Sequence, residues 1–190
     1  MSYSDLKGKA YVITGAASGQ GRCIALLLAR QGANVGLLDL NKPTDVLAEV
    51  ERLGVKGLAF SVDVGDYSAV EAAINIIAKE FNGINGAANF AGTVGSQGFT
   101  GKAYALDVIT DDDWDFMMRV NLTGVKNCLK AELKVIKDNG SIINAASIAG
   151  QRGTPWNSPY GAAKSGVISL SKSAAQEAGS RGVRVNAIAP

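Results

Sequence analysis

The sequence predicts an α/β fold built on one mostly parallel β-sheet, doubly wound so that helices cover both of its faces. Apolar runs alternate with helical patterns almost from the first residue, and this alternation indicates parallel strands joined by right-handed crossovers. The apolar runs are continuous rather than interrupted at every second position, as expected for strands buried on both faces. No internal repeat or linker divides the 190 residues, so we predict a single domain over residues 1–190.

Three strand–helix pairs are predicted in the first half of the chain. Gly32 is expected to end the first helix, because glycine tolerates the left-handed conformation found there. A proline and an aspartate mark the start of the second helix and Gly54 marks its end. Asp66 or Ser68 is expected to cap the third helix. The strands are predicted at residues 9–15, 34–40 and 57–64, and the helices at residues 21–33, 42–54 and 66–81.

The second half continues the alternation but contains one long irregular stretch. Gly86 and its neighbouring alanines lower the β-propensity of the fourth strand. Three acidic residues in the first turn of the next helix match the positive end of the helix dipole. Ser158 is placed to cap the last helix and Pro159 to occupy its first position. The strands are predicted at residues 84–92, 140–147 and 182–190, the helices at residues 110–137 and 158–178, and the irregular loop at residues 92–106.

The composition excludes several classes of function. The formal net charge is +2 with acidic and basic residues interspersed, so no nucleic acid partner is predicted. The sequence contains no histidine, which excludes Ser-His-Asp catalysis and histidine metal sites, and we predict no metal. No apolar run is long enough to span a membrane. Cys23 and Cys128 lack metal-ligand spacing, which favours a reduced, cytoplasmic protein without a membrane partner.

The segment TGAASGQG, residues 14–21, follows a predicted strand and opens a helix. Gly15 is placed to make the tight turn, Gly19 to let the backbone approach a pyrophosphate, and Gly21 to let the helix pack closely on the strand. The helix N-terminus adds free N–H groups and a positive dipole end. We therefore predict a dinucleotide-binding Rossmann sheet with strand order 3-2-1-4-5-6. An ordinary glycine-rich turn is the alternative interpretation.

Asp39 ends the second predicted strand, about 20 residues beyond the glycines. A carboxylate there can accept hydrogen bonds from both ribose hydroxyls of adenosine and would repel a 2′-phosphate. No Arg or Lys lies inside the glycine loop or directly after Asp39. The sequence therefore favours NAD(H) over NADP(H), unless Asp39 is simply an acidic residue at a strand end.

With these motifs, the chain resembles the short-chain dehydrogenase/reductase family over essentially its whole length. Residues 63–64 (DV) resemble the element that contacts adenine, and residues 89–92 (NFAG) resemble an Asn-Asn-Ala-Gly motif with Phe90 in place of the second Asn. Residues 183–190 resemble the strand that leads into a Pro-Gly segment beside the nicotinamide. The resemblance implies that Asn89 supports the central strand. The cofactor-binding residues it implies are Gly15, Ala17, Ser18, Gly19, Gln20, Gly21, Asp39, Leu40, Asp63, Val64, Asn89, Ala91, Gly92, Tyr160, Lys164 and Pro190.

Tyr160 and Lys164 are four positions apart in a predicted helix and so share one face. A free tyrosine has a pKa of about 10, and an ammonium group one turn away favours its phenolate. Tyr160 is thus placed to exchange a proton with an alcohol, and Ser147 to hydrogen-bond the substrate oxygen. A surface ion pair is the alternative. The resemblance implies a catalytic tetrad of Asn121, Ser147, Tyr160 and Lys164, in which Asn121 holds a water of the proton relay.

The resemblance implies an oxidoreductase that transfers a hydride between NAD(H) and a small-molecule secondary alcohol or ketone, with Tyr160 as general acid and base. A non-catalytic dinucleotide-binding sensor or scaffold is one alternative, and a relative that performs epimerisation or dehydration is another. The residues expected to bind substrate are Ser147, Gln151, Trp156 and Tyr160.

Two further expectations come from the resemblance. A homodimer or homotetramer is implied, formed through the two helices that carry Asn121 and Tyr160. Family members continue beyond the residue matching Pro190 with a substrate lid and a final strand, so we expect this sequence to be a truncated form that lacks both. A protein that has no lid is the alternative.

Overall fold

Six parallel strands form one sheet in the order β3-β2-β1-β4-β5-β6. The computed structural model describes residues 4–96, 98, 102 and 104–190. The doubly wound sheet and its strand order are as predicted. The strands are β1 (Ala10–Thr14), β2 (Asn34–Asp39), β3 (Gly57–Ser61), β4 (Ile84–Asn89), β5 (Ile136–Ala145) and β6 (Arg184–Ile188).

Within the described residues, six α-helices and one π turn connect the strands. Three more short segments are 3₁₀ helices, at Ser4–Leu6, Ile148–Gly150 and Gly179–Arg181. None of the helices in the described part of the chain is long and apolar enough to cross a bilayer. The helices are α1 (Gly19–Arg30), α2 (Thr44–Arg52), α3 (Tyr67–Phe81), α4 (Asp111–Met118), α5 (Gly124–Val135) and α6 (Ser158–Ala178), and the π turn is Arg119–Thr123.

The core lies in two layers, one on each face of the sheet. Neighbouring strand residues enter different layers, as the pleat of a strand requires: Val12 and Leu38 pack with α3, α5 and α6, whereas Ile13 and Leu37 pack with α1 and α2. Because both faces are covered, the strands are apolar at successive positions, which explains the continuous runs in the sequence.

The helix predicted over residues 110–137 is divided, and its last two residues belong to β5. The π turn separates α4 from α5, and α5 ends at Val135 because Ile136 is extended (ψ 136°) and pairs with Ile84. The left-handed Asn139 (φ 61°) follows within β5, and the pairing register shifts in the same stretch. The irregular loop predicted at residues 92–106 lies partly outside the described residues, at 97, 99–101 and 103.

Helix starts agree with the sequence at α3 and differ at α6. The carboxylate of Asp66 accepts hydrogen bonds from the backbone N–H groups of Ser68 and Ala69 and so caps α3. At α6 the cap position is Asn157 rather than Ser158, because Ser158 is already helical and its hydroxyl donates to the Tyr104 carbonyl. The side chain of Asn157 makes no capping hydrogen bond.

Candidate active site

The glycine loop between β1 and α1 has a conformation that depends on its glycines. Gly15 (φ 69°) and Gly19 (φ 52°) are both left-handed, a region that other residues enter at a cost. A Cβ on Gly15 would lie 2.9 Å from the Ala91 nitrogen, and a Cβ on Gly21 would overlap the Gly15 carbonyl oxygen. Gly21 therefore lets α1 begin directly against the turn that Gly15 makes.

This loop forms one wall of a cleft at the carboxyl ends of the central strands, where open α/β sheets bind their ligands. The cleft has a volume of about 350 Å³. Its lining brings together most of the predicted cofactor-binding residues. The lining residues are Gly15, Ser18, Gly19, Gln20, Gly21, Asp39, Leu40, Val62, Asp63, Val64, Phe90, Ala91, Gly92, Phe116, Arg119 and Val120.

Asp39 is held at the end of β2 by two backbone hydrogen bonds. Its Oδ2 accepts from the Ala17 nitrogen at 3.0 Å and its Oδ1 from the Asn41 nitrogen at 3.1 Å. The first bond ties the carboxylate to the glycine loop, so the predicted ribose ligand and the predicted phosphate loop are one unit. Each carboxylate oxygen keeps a lone pair for a hydroxyl donor.

Asp63 forms an ion pair with Arg119, the first residue of the π turn. The Asp63 Oδ2 lies 2.7 Å from Arg119 Nη1, and its Oδ1 accepts from the Gly65 nitrogen at 2.8 Å. Burial raises the pKa of Asp63, but these two hydrogen bonds outweigh that effect and hold the pKa below its usual range. The carboxylate therefore stays ionised and oriented at this end of the cleft.

At the other end of the cleft, Thr14 and Asn121 fix the segment that follows β4. The Thr14 hydroxyl accepts from the Phe90 and Ala91 nitrogens at 3.1 Å each. The buried Asn121 accepts from the Thr93 nitrogen at 3.0 Å and donates to the Thr93 carbonyl at 2.9 Å. Gly92 lies between them, where a Cβ would be 2.9 Å from Asn121 Oδ1 and 3.7 Å from Lys164 Nζ.

Ser147, Tyr160 and Lys164 meet beside this segment. The Ser147 hydroxyl accepts from the Ala149 nitrogen at 3.2 Å and is hydrogen-bonded to the Tyr160 side chain. Lys164 Nζ donates to the Ala145 carbonyl at 2.7 Å and lies 5.4 Å from the centre of the Tyr160 ring. Thus β5, the π turn and α6 bring all four residues predicted as a tetrad to one end of the cleft.

The pKa values of this pair are set mainly by burial. Burial raises the pKa of Tyr160, and the smaller effect of the Ser147 hydrogen bond does not reverse it. Burial also lowers the pKa of Lys164 to about 8. The expectation that Lys164 lowers the pKa of Tyr160 is therefore wrong for this structure, since the ammonium group bonds a carbonyl oxygen instead of the phenol.

The comparisons with known proteins agree with this geometry. The family model described as Enoyl-(Acyl carrier protein) reductase matches residues 15–190. The chain is 44% identical over 188 residues to the short-chain dehydrogenase/reductase ABA4 of Pyricularia oryzae, covering 97% of this chain and 69% of that protein. The chain belongs to the short-chain dehydrogenase/reductase family.

Solved structures of this oxidoreductase family contain both nicotinamide dinucleotides. Carveol dehydrogenase from Mycobacterium avium, in complex with NAD, is 30% identical with a TM-score of 0.88, and the match covers 97% of this chain and 70% of that one. A short-chain dehydrogenase from Burkholderia cenocepacia, in complex with NADP, is 31% identical with a TM-score of 0.87, covering 97% and 74%.

In this short-chain dehydrogenase/reductase, Asn89 faces the core rather than the cleft. Its Nδ2 donates to Glu132 Oε2 at 3.0 Å and to Asn144 Oδ1 at 2.9 Å, and Asn144 donates in turn to the Ser171 hydroxyl. The network joins β4, β5, α5 and α6 behind the sheet. Asn89 is therefore placed to support the strand, as the sequence suggested, and its side chain does not line the cleft.

Glu132 is fully buried in this network, and burial raises its pKa to about 7. Because its carboxyl group holds a proton more tightly in the folded chain than in the unfolded one, the contribution of Glu132 to stability is fully present below about pH 4.5 and is lost as pH rises through about 7. The variant Glu132→Gln should remove this pH dependence. At pH 8 it should therefore avoid a loss of roughly 3 kcal/mol in the free energy of unfolding. Urea unfolding at pH values from 5 to 8 measures the free energy of unfolding of both chains.

The exposed Glu51 provides the matched control for this prediction. The variant Glu51→Gln should keep the pH dependence of the natural chain between about pH 4.5 and 7. If the free energy of unfolding of Glu132→Gln changed with pH as it does in the natural chain, another group would be titrating in this range.

The remaining predicted site residues are dispersed. The Pro190 carbonyl accepts from the Ile148 nitrogen at 3.0 Å and so anchors the turn after Ser147. Gln151 lines a second cavity that is formed without Ser147 or Tyr160. Trp156 is left-handed (φ 61°) and 50% exposed, with Lys102 Nζ 5.1 Å from its ring centre. Neither Gln151 nor Trp156 lines the nucleotide cleft.

Sequence reasoning missed several residues of the cleft. Thr14 ends β1 and could have been noticed as a polar residue at a strand end beside the glycine loop. Phe116 and Arg119 lie on α4 and the π turn and carry no local signal, because their roles depend on where the helix crosses residues 62–64.

Proposed function

We propose that residues 1–190 form a single dinucleotide-binding and catalytic domain that transfers a hydride between NAD(H) and a secondary alcohol or ketone. The observation that carries this proposal is the meeting of Ser147, Tyr160 and Lys164 beside Gly92, at the end of a cleft whose opposite wall is the glycine loop. A proton-transfer group thus adjoins a nucleotide-sized groove.

The residues of the cleft fit a dinucleotide. The space that Cβ atoms would fill at Gly15 and Gly21 is needed for the turn, and the start of α1 offers N–H groups to a pyrophosphate. Asp39 would hold the adenosine ribose, and Asp63 with Val64 would contact the adenine. When bound, NAD(H) gives or accepts the hydride.

The chain itself supplies the proton. In the direction of ketone reduction, the Tyr160 hydroxyl donates its proton to the substrate oxygen, and the Ser147 hydroxyl donates a hydrogen bond to that oxygen. The raised pKa of Tyr160 keeps it protonated at neutral pH, which suits this direction. Lys164 supplies the positive charge next to Tyr160. Asn121, whose Oδ1 flanks Gly92, is proposed to continue the proton path toward solvent.

We propose NAD(H) as the preferred cofactor because of Asp39. The carboxylate is fixed by the Ala17 and Asn41 nitrogens, so it cannot easily swing away from a 2′-phosphate. Two negative charges a few ångströms apart repel each other strongly in a partly desolvated cleft. The Asp39 carboxylate would therefore disfavour the 2′-phosphate of NADP(H).

We also propose a homodimer or homotetramer formed through α5 and α6. A shallow groove along the π turn, α5 and α6 exposes small and apolar residues, including Leu122, Gly166 and Leu170. Such a surface suits packing against the same helices of a second copy.

The experiment is a pair of measurements on the purified chain. A fluorescence titration should show binding of NADH at least about tenfold tighter than NADPH, and the variant Asp39→Asn should narrow that preference. A panel of secondary alcohols and ketones, followed by nicotinamide absorbance and product analysis, should then show redox turnover. NADH binding without turnover would favour a sensor or scaffold, and isomerised or dehydrated products would favour the other alternative chemistry.

A further inference from the structure

Strands β4 and β5 separate after one final pair of residues, Asn89 and Asn144. This final pair is the last in the pairing register of the two strands, and both of its side chains are buried. Asn89 Nδ2 donates to Asn144 Oδ1 at 2.9 Å, so the strands are joined here by side chains as well as by the backbone. Residues 90–92 and 145–147 follow directly and lead to the proton-transfer end of the nucleotide cleft.

Glu132 on α5 fixes the orientation of the final pair. Its Oε2 accepts the second N–H of Asn89 at 3.0 Å, so both hydrogens of that amide nitrogen are used. The amide of Asn89 cannot turn over without placing its oxygen against the oxygens of Asn144 and Glu132. Glu132 is fully buried, its Oε1 has no hydrogen-bond partner within the described residues, and no ion pair found there includes it. A buried carboxylate without a cation is unfavourable, so the network suits the protonated group.

The same network attaches α6 to β5. Asn144 Nδ2 donates to the Ser171 hydroxyl at 2.9 Å, and that hydroxyl donates to the Val167 carbonyl at 2.7 Å. Ser171 lies about two turns beyond Lys164 on the buried side of the helix. Lys164 Nζ in turn donates to the carbonyl of Ala145, the residue after Asn144. Two neighbouring residues of β5 thus determine where α6, and with it Lys164, lies against the sheet.

Glu132 shares this layer of the core with few groups that titrate. Cys128, one turn earlier in α5, faces it, and burial together with the charge of Glu132 raises the pKa of the thiol. The side chains that β4, β5 and α6 add to the network are amides and a hydroxyl, and α6 also carries the ammonium group of Lys164. Helix α3 packs the apolar Ile74 and Ile77 here. Burial raises the pKa of Glu132 to about 7, so its charge changes near neutral pH.

We propose that Glu132 is a positioning residue for proton transfer, and that the presence or loss of its own proton determines how firmly the ends of β4 and β5 are held. With the proton bound, the carboxyl group accepts from Asn89, and the final pair holds the Ala145 carbonyl against Lys164. When the proton leaves to solvent, the hydrogen bond from Asn89 offsets only part of the cost of the buried charge. The strand ends then loosen to admit water. This inference rests on the proposed function, because these segments position the proposed proton-transfer residues.

Two-dimensional amide NMR spectra of the natural chain and of Glu132→Gln test the proposal without any substrate. The glutamine keeps an accepting oxygen and cannot ionise. The spectra are recorded from pH 5.5 to 7.5, below the pKa of about 8 for Lys164. In the natural chain the signals of residues 90–92 and 145–147 should move with a midpoint at about pH 7. In Glu132→Gln they should stay in place, and residues 34–39 of β2 serve as the internal reference in both chains.

The same midpoint should appear in turnover. Over this pH range the protonated fraction of Glu132 falls from nearly all to about a quarter, so kcat for ketone reduction should fall about fourfold in the natural chain. NADH affinity should not change, and kcat of Glu132→Gln should stay level. Leu129, buried on the same helix, provides the matched control. Leu129→Ala should lower the melting temperature but keep both midpoints, because Glu132 is intact.

Signals of residues 145–147 that stay in place in the natural chain, or that move alike in Glu132→Gln, would overturn the proposal. A fall of kcat that persists in Glu132→Gln would also overturn it. Signals that move with a midpoint near pH 7 in a chain that reduces no ketone would confirm that Glu132 positions these strand ends, and would count against the proposed function alone. The two failures are therefore distinguishable.

Discussion

Replacing Tyr160 with Phe should lower turnover by about 10²–10⁴-fold and leave NADH affinity nearly unchanged. The substitution removes the phenol hydroxyl that is hydrogen-bonded to Ser147 and is proposed to donate the proton. The aromatic ring remains, so the contact with Lys164 Nζ 5.4 Å from its centre is retained. Steady-state kinetics and NADH fluorescence titration on the same sample measure the two effects.

Tyr11 is the control for this variant. It is a half-buried tyrosine on β1 and lines a depression with Asp5 and Lys9, away from the nucleotide cleft. Tyr11→Phe should retain full turnover. If Tyr160→Phe were equally active, proton transfer by Tyr160 would be refuted, whereas equal loss in both variants would indicate a general effect on the fold.

Replacing Gly21 with Ala should abolish measurable NADH binding. The new Cβ would overlap the Gly15 carbonyl oxygen and lie 2.6 Å from the Gly15 carbonyl carbon. Both are backbone atoms at the turn, so the loop must move, and overpacking of this kind costs about 1–3 kcal/mol. The melting temperature should fall by roughly 2–12 °C. Fluorescence titration and thermal unfolding measure both changes.

Gly179 is the matched glycine, because a Cβ there would meet nothing within 4 Å and its φ is −61°. Gly179→Ala should bind NADH normally and unfold at or slightly above the natural temperature. Normal NADH binding by Gly21→Ala would mean that the cofactor lies elsewhere than on the glycine loop.

The glycine loop and Asp39 were predictable because each depends on residues next to a strand end. In a parallel sheet all carboxyl ends lie at one edge, so sequence order alone brings them together. Ser147 follows β5 and Tyr160 and Lys164 lie in one helix, so their approach could also be inferred.

Contacts between elements far apart in sequence could not be predicted. The Arg119–Asp63 ion pair and the Glu132–Asn89 hydrogen bond join residues 56 and 43 positions apart. They depend on how α5 and the π turn lie across the sheet, which no local pattern specifies. Gln151 and Trp156 were expected at the catalytic hydroxyls because of their place in the chain, and their part in substrate binding stays a prediction.

The π turn contacts both ends of the nucleotide cleft. Arg119 forms an ion pair with Asp63 at the proposed adenine end. Asn121, two positions later, is hydrogen-bonded to the Thr93 backbone at the proton-transfer end. The two contacts are thus linked to each other through five residues, Arg119–Thr123. Deleting Val120 between them would rotate Asn121 by about 100° relative to Arg119, so the contacts with Asp63 and Thr93 could not form together.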